Sequence, residues 1–341
     1  MNLDTRMFRE AADAPAAVRF QLHANRSLVE HVGGVVRDFA PRGIVTCARG
    51  SSDHAATFAK YLIETRTGLP ASSAAPSISS LYAIKADLEA VLFVAISQSG
   101  ASPDLLAAAA AAKDAGALVL ALVNDASSPL ARAAHHAIPL RAGVETSVAA
   151  TKSYIASLAA ILQLVATWTQ DEDLQHALEQ APEQLARAWQ LDWSAAVEHF
   201  RSASSLYVVG RGLGLGIAQE AALKFKETCG VHAEAFSAAE LRHGPMALVH
   251  QGFPVLVMTQ HDETREGVEA LAIELCRIGA DVLVAGSVLP GMLALPTLRA
   301  HPAIEPLLMI QSFYRLANAL AVARGRDPDR PPHLSKVTET V

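Results

Sequence analysis

A strand pattern, an Arg-Gly pair and a helix pattern follow one another twice in this chain, and this repeat constrains the possible fold most. Arg49-Gly50 and Arg211-Gly212 both follow apolar runs suited to buried strands, and both precede helical patterns. Each helical pattern ends at a glycine, Gly68 or Gly230, and both pairs are offset by 162 residues (211 − 49 and 230 − 68). Two copies of one strand–turn–helix unit are the simplest explanation.

Strand and helix patterns alternate within each copy. Alternation of this kind predicts an α/β fold, with a parallel sheet that carries helices on both faces. Strands are predicted at 43–48, 91–97, 118–123 and 137–140 in the first copy, and at 206–210, 253–259 and 281–285 in the second.

The predicted domain organisation has five parts. They are N-terminal helices over 1–39, interrupted by Pro15, a first domain over 40–169, a polar helical connector over 170–195, a second domain over 196–325 and a tail over 326–341. The tail is rich in proline and polar residues, so it is expected to be ordered only where it docks on folded structure.

Composition limits the class of protein. With 51% apolar residues, 18% charged residues and a net charge of −6, the chain reads as a soluble globular protein without a basic patch for nucleic acid. The longest apolar stretch, 155–168, is too short to span a bilayer, which takes about 20 residues. The charged N-terminus and three widely spaced cysteines, Cys47, Cys229 and Cys276, favour free thiols in the cytoplasm, with no membrane partner.

Three charged residues share one face of the second repeated helix. Glu220, Lys224 and Glu227 are spaced at i, i+4 and i+7. Spacing alone is typical of a solvated surface ion pair. The rest of this helix is mainly Ala, Leu and Phe, and the string Glu240-Leu-Arg-His-Gly-Pro245 follows a short loop later. This neighbourhood favours a functional arrangement.

The first copy contains a loop rich in hydroxyls, Ser97-Gln-Ser-Gly-Ala-Ser102, between a predicted strand and a helix that begins at Pro103. Backbone N–H groups at a helix N-terminus can bind phosphate without a basic side chain. The loop matches neither the Walker pattern nor GxGxxG. Taken alone, a serine-rich loop is more often a plain turn than a phosphate site.

The chain resembles a known family at three linked strings. Glu220-Ala-Ala-Leu-Lys-Phe-Lys-Glu227, His232-Ala-Glu-Ala235 and Glu240-Leu-Arg-His-Gly-Pro245 resemble the isomerase half of glutamine–fructose-6-phosphate aminotransferase, and the chain also resembles type II glucosamine-6-phosphate deaminases. The resemblance implies two tandem sugar isomerase (SIS) domains, each a flavodoxin-like three-layer sandwich with a parallel sheet.

The resemblance also implies catalytic roles. Glu227 would move a proton between C1 and C2 of the open-chain sugar, with Glu220 and Lys224 beside it. His243 would open the ring from the partner subunit, which implies a homodimer. Lys336, in a tail that would close over the site, would form a Schiff base with the C2 ketone.

The same resemblance implies the residues that bind a small sugar phosphate. These are Ser51, Ser52, Ser97, Gln98, Ser99, Ser102, Ser147 and Ala150. No metal or cofactor is expected, because positioned acids and bases suffice for enolisation.

The expected reaction converts glucosamine 6-phosphate to fructose 6-phosphate and ammonia. The aminotransferase places its glutaminase nucleophile, a cysteine, next to the initiator Met; Asn2 stands there in this sequence, so glutamine hydrolysis is not expected. Arg49 and Ala101 replace smaller or acidic residues of the aminotransferase, which leaves the amino-sugar end of the substrate open. The alternatives are a galactosamine-6-phosphate deaminase, a deglycase acting on a fructosyl-amino acid 6-phosphate, and a non-catalytic sugar-phosphate sensor.

Overall fold

The computed structural model describes residues 4–82 and 84–336. Its helices, in chain order, are α1 (Arg6–Ala12), α2 (Ala14–Ala24), α3 (Arg26–Phe39), α4 (Ser51–Thr67), α5 (Ser77–Ser80), α6 (Pro103–Asp114), α7 (Pro129–Ala133), α8 (Lys152–Thr169), α9 (Glu172–Ala188), α10 (Ala196–Arg201), α11 (Leu213–Lys224), α12 (Arg265–Ile278) and α13 (Glu305–Ala323). Its strands are β1 (Gly43–Cys47), β2 (Ala71–Ser73), β3 (Val91–Ser97), β4 (Leu118–Val123), β5 (His136–Pro139), β6 (Ser205–Gly210), β7 (His232–Ser237), β8 (Pro254–Met258), β9 (Asp281–Ala285) and β10 (Leu293–Leu295).

The described residues form two compact units, called N-terminal and C-terminal according to which of the two sheets each contains. The N-terminal unit comprises 16–82, 84–145, 152–179 and 335–336, and the C-terminal unit comprises 4–15, 146–151 and 180–334. Each unit therefore includes short segments that are distant from its sheet in the sequence.

The sheet of the N-terminal unit is parallel, with strand order β2-β1-β3-β4-β5. β3 and β4 are central, and they are almost continuously apolar because both faces of a parallel sheet are covered. This strand order is that of flavodoxin-like folds, in which ligands bind beyond the carboxyl ends of the strands where the order reverses, here between β1 and β3.

The sheet of the C-terminal unit, β10-β9-β8-β6-β7, has the same order and is also parallel. Gly50 and Gly212 precede α4 and α11, both at φ 57°, with ψ of −133° and −129°. α6 and α12 begin at Pro103 and Arg265, again 162 residues apart (265 − 103). The predicted α/β class and the internal repeat are therefore confirmed.

The longest apolar stretch, 155–168, lies in α8, whose side chains are almost all buried in the core. Within residues 4–82 and 84–336, no helix has both the length and the apolar character needed to cross a membrane.

Residues 6–39 form three helices, and Pro15 lies at the break between the first two. It is in the first turn of α2, just after α1 ends, where a missing N–H breaks no hydrogen bond. The edge strands β2, β7 and β10 were not predicted. They are short or mixed in polarity, and an edge strand needs no continuous apolar run.

The tail docks on the C-terminal unit through Asp329. Its carboxylate accepts hydrogen bonds from the backbone N–H groups of Arg6 (2.9 Å) and Met7 (2.7 Å) at the start of α1. A carboxylate at this position satisfies unpaired helix donors and interacts favourably with the helix dipole. The contact explains why a proline-rich polar segment is ordered here.

Candidate active site

A buried array of charges lies at the end of α11 in the C-terminal unit. The Lys224 ammonium is 3.1 Å from Oε1 of Glu220 and 2.6 Å from Oε2 of Glu227. Tyr314 of α13 donates its hydroxyl to Glu220 at 3.2 Å. The structure thus brings together the three residues that the sequence placed on one helix face.

The members of the array differ in their access to solvent. The side chains of Lys224 and Glu220 are fully buried, whereas that of Glu227 is 19% exposed. Burial opposes a charge on Lys224, but Glu220 and Glu227 together outweigh it and raise the pKa of the ammonium above its ordinary value. Lys224 therefore stays protonated at neutral pH, and Glu227 is the only member of these three that solvent reaches.

The helix changes geometry at the array. Regular α-helix ends at Lys224, and Phe225–Cys229 form one π-helical turn that ends at Gly230, which has a left-handed φ of 61°. π-turns are rare and often mark functional sites. Sequence spacing did not reveal this turn, because i, i+4 and i+7 positions also align on an ordinary helix.

His243 occupies an exposed position in the C-terminal unit. It ends a 3₁₀ turn, Glu240–His243, and is followed by Gly244 at φ 144°. In the part of the chain that the structure describes, His243 forms no hydrogen bond or ion pair with the array. The role of His243 remains a prediction.

The serine loop of the N-terminal unit turns tightly between β3 and α6. Ser97 Oγ accepts a hydrogen bond from the Gly100 N–H at 3.0 Å, and Ser99 Oγ accepts one from the Ala101 N–H at 3.4 Å. Gly100 has a φ of +61°, and a Cβ there would lie 2.2 Å from Ser128 Oγ. Only glycine fits this position, since a side chain would be strained and would also collide.

The loop leads into α6 without a side-chain cap. Ser102 has the extended backbone of an N-cap residue, but its hydroxyl makes no cap hydrogen bond to the helix. Gln98, Ser99 and Ser102 are partly exposed and Ser97 is buried. In the first turn of α6, Pro103 has no N–H and the Leu105 N–H donates to Oδ1 of Asp104 at 2.8 Å. The Ser102 hydroxyl is therefore the donor that this turn offers to an anion.

Arg49 neutralises a buried acid beside this loop. Its Nε and Nη2 atoms both lie 2.9 Å from Oδ2 of Asp104, which is in the first turn of α6 and 1% exposed. Cys47, just before Arg49, is buried, and burial with the nearby Asp104 charge raises the pKa of its thiol to about 12. Cys47 is therefore a packing residue and not a nucleophile.

The other predicted substrate contacts fall in different places. Ser51 and Ser52 form the first turn of α4, partly exposed, in the N-terminal unit. Ser147 and Ala150 belong to the segment 146–151 of the C-terminal unit. Ser147 is buried, and its N–H donates to Glu10 at 3.1 Å. Their binding roles remain predictions.

Lys336 is held by an acid that sequence reasoning missed. Its ammonium lies 3.0 Å from Oε2 of Glu145, whose side chain is fully buried in the N-terminal unit. Glu145 also accepts hydrogen bonds from Ser153 at the start of α8, from Oγ at 2.6 Å and from N–H at 3.2 Å. An acidic residue shortly before a long apolar helix is a sequence signal for the contact with Ser153 at the helix N-terminus, but not for the contact with Lys336.

No group of three His, Cys, Asp or Glu side chains in residues 4–82 and 84–336 is arranged to hold a metal ion. The second buried thiol, Cys229, has its pKa raised to about 11, chiefly by burial.

Comparison with known proteins agrees with the fold. The SIS domain family model matches residues 40–167 and 199–285, so the chain belongs to the SIS domain family and carries two of its domains in tandem. Glutamine–fructose-6-phosphate aminotransferase from Aeropyrum pernix is 36% identical over 91% of this chain, which covers 55% of that protein. The chain thus spans about half the length of the curated relatives it matches.

Two solved structures are similar over almost the whole chain. A crystal structure from Silicibacter pomeroyi, provisionally described as a phosphosugar isomerase, has a TM-score of 0.92 and 42% identity, covering 95% of this chain and 100% of that one. The C-terminal domain of glucosamine-fructose-6-phosphate aminotransferase from Francisella tularensis has a TM-score of 0.87 and 26% identity, with coverage of 96% and 98%. These relatives place the chain among phosphosugar isomerase-type enzymes related to the isomerase half of the aminotransferase.

Proposed function

We propose that this protein converts glucosamine 6-phosphate to fructose 6-phosphate and ammonia without using glutamine. The observation that carries the proposal is the array in which fully buried Lys224 binds both Glu220 and Glu227, while only Glu227 among them is exposed. This arrangement suits a single carboxylate that exchanges protons with a substrate and is held in place by a permanent cation.

In the proposed reaction His243 helps to open the pyranose ring. Glu227 removes the proton from C2 of the aldehyde form, the electron pair moves to form the C1–C2 double bond, and the C1 oxygen takes a proton from solvent to give an enolamine. Protonated Glu227 then gives its proton to C1, so that C1 becomes a hydroxymethyl group and C2 an iminium, which loses one N–H proton to solvent to become the imine. Water adds at C2 and ammonia leaves, either directly or after the Lys336 amine has displaced it as a Schiff base that water hydrolyses.

The phosphate of the substrate is assigned to the serine loop of the N-terminal unit. The partly exposed Ser102 hydroxyl offers a donor to an anion, and Arg49 offsets the nearby Asp104 charge. A phosphate held there would orient the sugar chain and supply binding energy remote from the reacting carbons.

The test is ammonia release from glucosamine 6-phosphate, with fructose 6-phosphate measured in the same samples. We expect Glu227→Gln to lower kcat by about 10²- to 10⁴-fold, the usual contribution of a positioned general base. Glu198→Gln is the matched control, because the Glu198 side chain is 73% exposed in the same unit and forms an ion pair with Arg201. Equal activity in wild type and Glu227→Gln would refute the proton-transfer role.

Binding of the sugar phosphate without turnover in the wild type would instead favour the sensor alternative. Turnover of a fructosyl-amino acid 6-phosphate, but not of glucosamine 6-phosphate, would favour the deglycase. Galactosamine 6-phosphate belongs in the same assay, since the proton transfer is identical for both C4 epimers.

The exposed position of His243 supports a second part of the proposal, a homodimer in which this residue acts on the partner's substrate. Mixing the inactive variants Glu227→Gln and His243→Gln tests it. If each site takes Glu227 from one subunit and His243 from the other, half the dimers regain one intact site, and about a quarter of wild-type activity returns. No recovery after subunit exchange would place both residues in the same subunit's site.

A further inference from the structure

Three neighbouring strands of the N-terminal unit each lead into a polar residue at the same edge of the sheet. Gln98 follows β3, Asn124 follows β4, and Arg141 lies two residues after β5. The three side chains line an open cavity of about 550 Å³, together with Phe20, Ala126, Pro139, Gly143, Val144 and Glu145. This volume is within the range of small-molecule sites. The cavity extends from Gln98 towards the residues that follow β4 and β5, and its lining does not include Ser102, the residue of the serine loop to which the substrate phosphate is assigned.

The Arg141 guanidinium is held in place by neutral groups only. Its Nε donates to Oδ1 of Asn25 at 2.6 Å, and its Cζ lies 5.7 Å from the centre of the Phe20 ring. Asn25 is fully buried and is fixed in turn by a hydrogen bond of 2.7 Å to the Pro139 carbonyl. Among the described residues, no carboxylate pairs with Arg141, so its planar donors face the cavity as an uncompensated positive charge.

The backbone that carries Arg141 is strained. Arg141 has a φ of +51° and Gly143 a φ of +71°. The Asn124 amide holds the turn, since Oδ1 accepts the Ala142 N–H and Nδ2 donates to the Gly143 carbonyl, both at 2.8 Å. A left-handed backbone is strained for arginine, and such strain concentrates at ligand sites, where it fixes a group before binding.

One acid also lines the cavity, and its charge is already balanced. Glu145 is engaged by the Lys336 ammonium at 3.0 Å and by Ser153 at 2.6 Å. The guanidinium of Arg141 therefore sets the sign of the potential in the cavity, and the Phe20 ring supplies an apolar side wall.

We propose that this cavity is a second anion site, which binds the phosphate or carboxylate group of a small metabolite separately from the substrate phosphate. Arg141 is the principal ligand and Asn124 a neutral polar neighbour, while Gln98 lies between this cavity and the substrate site. The inference goes beyond the proposed function, because it concerns a ligand that is not the reacting sugar.

The test is calorimetric titration of the full chain with inorganic phosphate, alone and with saturating fructose 6-phosphate. We expect fructose 6-phosphate to remove one class of phosphate binding and to leave a second. Arg141→Met should weaken the second class at least about tenfold, since a charge-assisted bidentate contact is lost. Arg42→Met is the matched control and should leave it unchanged. Arg42 is exposed at the amino edge of the same sheet, where it donates to the Glu89 carbonyl.

Citrate and inorganic phosphate, titrated separately with fructose 6-phosphate present, distinguish a carboxylate ligand from a phosphate ligand. Arg141→Lys keeps the charge and should retain part of the affinity, which separates loss of charge from loss of fold; thermal melting checks the fold of each variant. Complete loss of phosphate binding with fructose 6-phosphate, or equal affinities in Arg141→Met and Arg42→Met, would overturn the proposal. If fructose 6-phosphate does not bind at all, the proposed function fails, while an Arg141-dependent phosphate site remains measurable.

Discussion

At the position of Lys224 in the C-terminal unit, the N-terminal unit has Leu62, because the two helices align with an offset of 162 residues (224 − 62). The same offset matches Glu220 with Phe58. Phe58 and Leu62 are fully buried core residues of α4, whereas their counterparts in α11 form the charged array. One copy of the helix stabilises its unit by packing, and the other carries buried charges at a position suited to catalysis.

The loops after β3 and β8 also differ between the two units. Ser97–Ser102 aligns with Thr259–Thr264, and Gly100 aligns with Asp262. The Asp262 carboxylate accepts hydrogen bonds from the Thr264 N–H at 2.9 Å and from Gln260. An acid therefore stands in this loop where the serine loop has a glycine. If the proposed function is correct, phosphate binding belongs to one copy of the fold and proton transfer to the other.

Of the substitutions that test this comparison, Lys224→Met should have the largest effect, a loss of folding stability. It would leave the fully buried Glu220 without its cation, and removing one partner of a buried pair typically costs about 3–5 kcal/mol. Leu62→Met, at the matching position, should cost less than about 1.5 kcal/mol because volume and polarity are conserved. Urea unfolding of both variants measures the difference in stability. Similar unfolding midpoints would show that Glu220 does not depend on the Lys224 cation.

The stability difference between wild type and Lys224→Met should also depend on pH. Because the two carboxylates raise the pKa of Lys224 in the folded protein, its stabilising contribution is fully present below the ordinary lysine pKa and is lost as pH rises towards the folded value. The stability gap between wild type and Lys224→Met should therefore be constant from pH 7 to 9 and narrow at higher pH. A gap that widened with rising pH would mean that the folded pKa is lowered.

Gly100→Asp places in the serine loop the aspartate that Asp262 supplies in the loop after β8. The side chain would meet Ser128 at a left-handed backbone and would place a negative charge beside the predicted phosphate. We expect KM for glucosamine 6-phosphate to rise at least about tenfold, equivalent to about 1.4 kcal/mol of binding. Gly68→Asp is the control, since Gly68 has a similar φ of +71° with open space around its Cβ position.

Asp262→Ala should have a smaller effect, confined to stability. The variant loses the hydrogen bonds that close the loop before α12, which are worth about 1 kcal/mol. Asp125→Ala removes the same pair of contacts, to the N–H and hydroxyl of Ser127, at a fully exposed site, and should cost less. Melting temperatures check this order, and kcat should not change in either variant.

The sequence predicted the repeated architecture well, because buried parallel strands such as β3 and β4 are continuous apolar runs with clear ends. It also predicted the face shared by Glu220, Lys224 and Glu227. It could not predict the π-turn, since the spacing of polar and apolar residues is compatible with both an α-helix and a helix that contains one π-turn. The contact of Lys336 with Glu145 was equally hidden, because the two residues are 191 positions apart and only tertiary folding joins them.

The smallest expected difference between the two units is in the alkylation of their buried thiols, because each unit contains one such thiol that reports on its opening. Cys47 lies in the N-terminal unit and Cys229 in the C-terminal unit, and burial raises their pKa values to about 12 and about 11, so both stay protonated at pH 8. Iodoacetamide should therefore modify only the partly exposed Cys276 in the native protein, as intact mass would show. In increasing urea, Cys229 should react before Cys47 if the buried charges make the C-terminal unit easier to open. Simultaneous labelling would instead mean that the two units unfold as one.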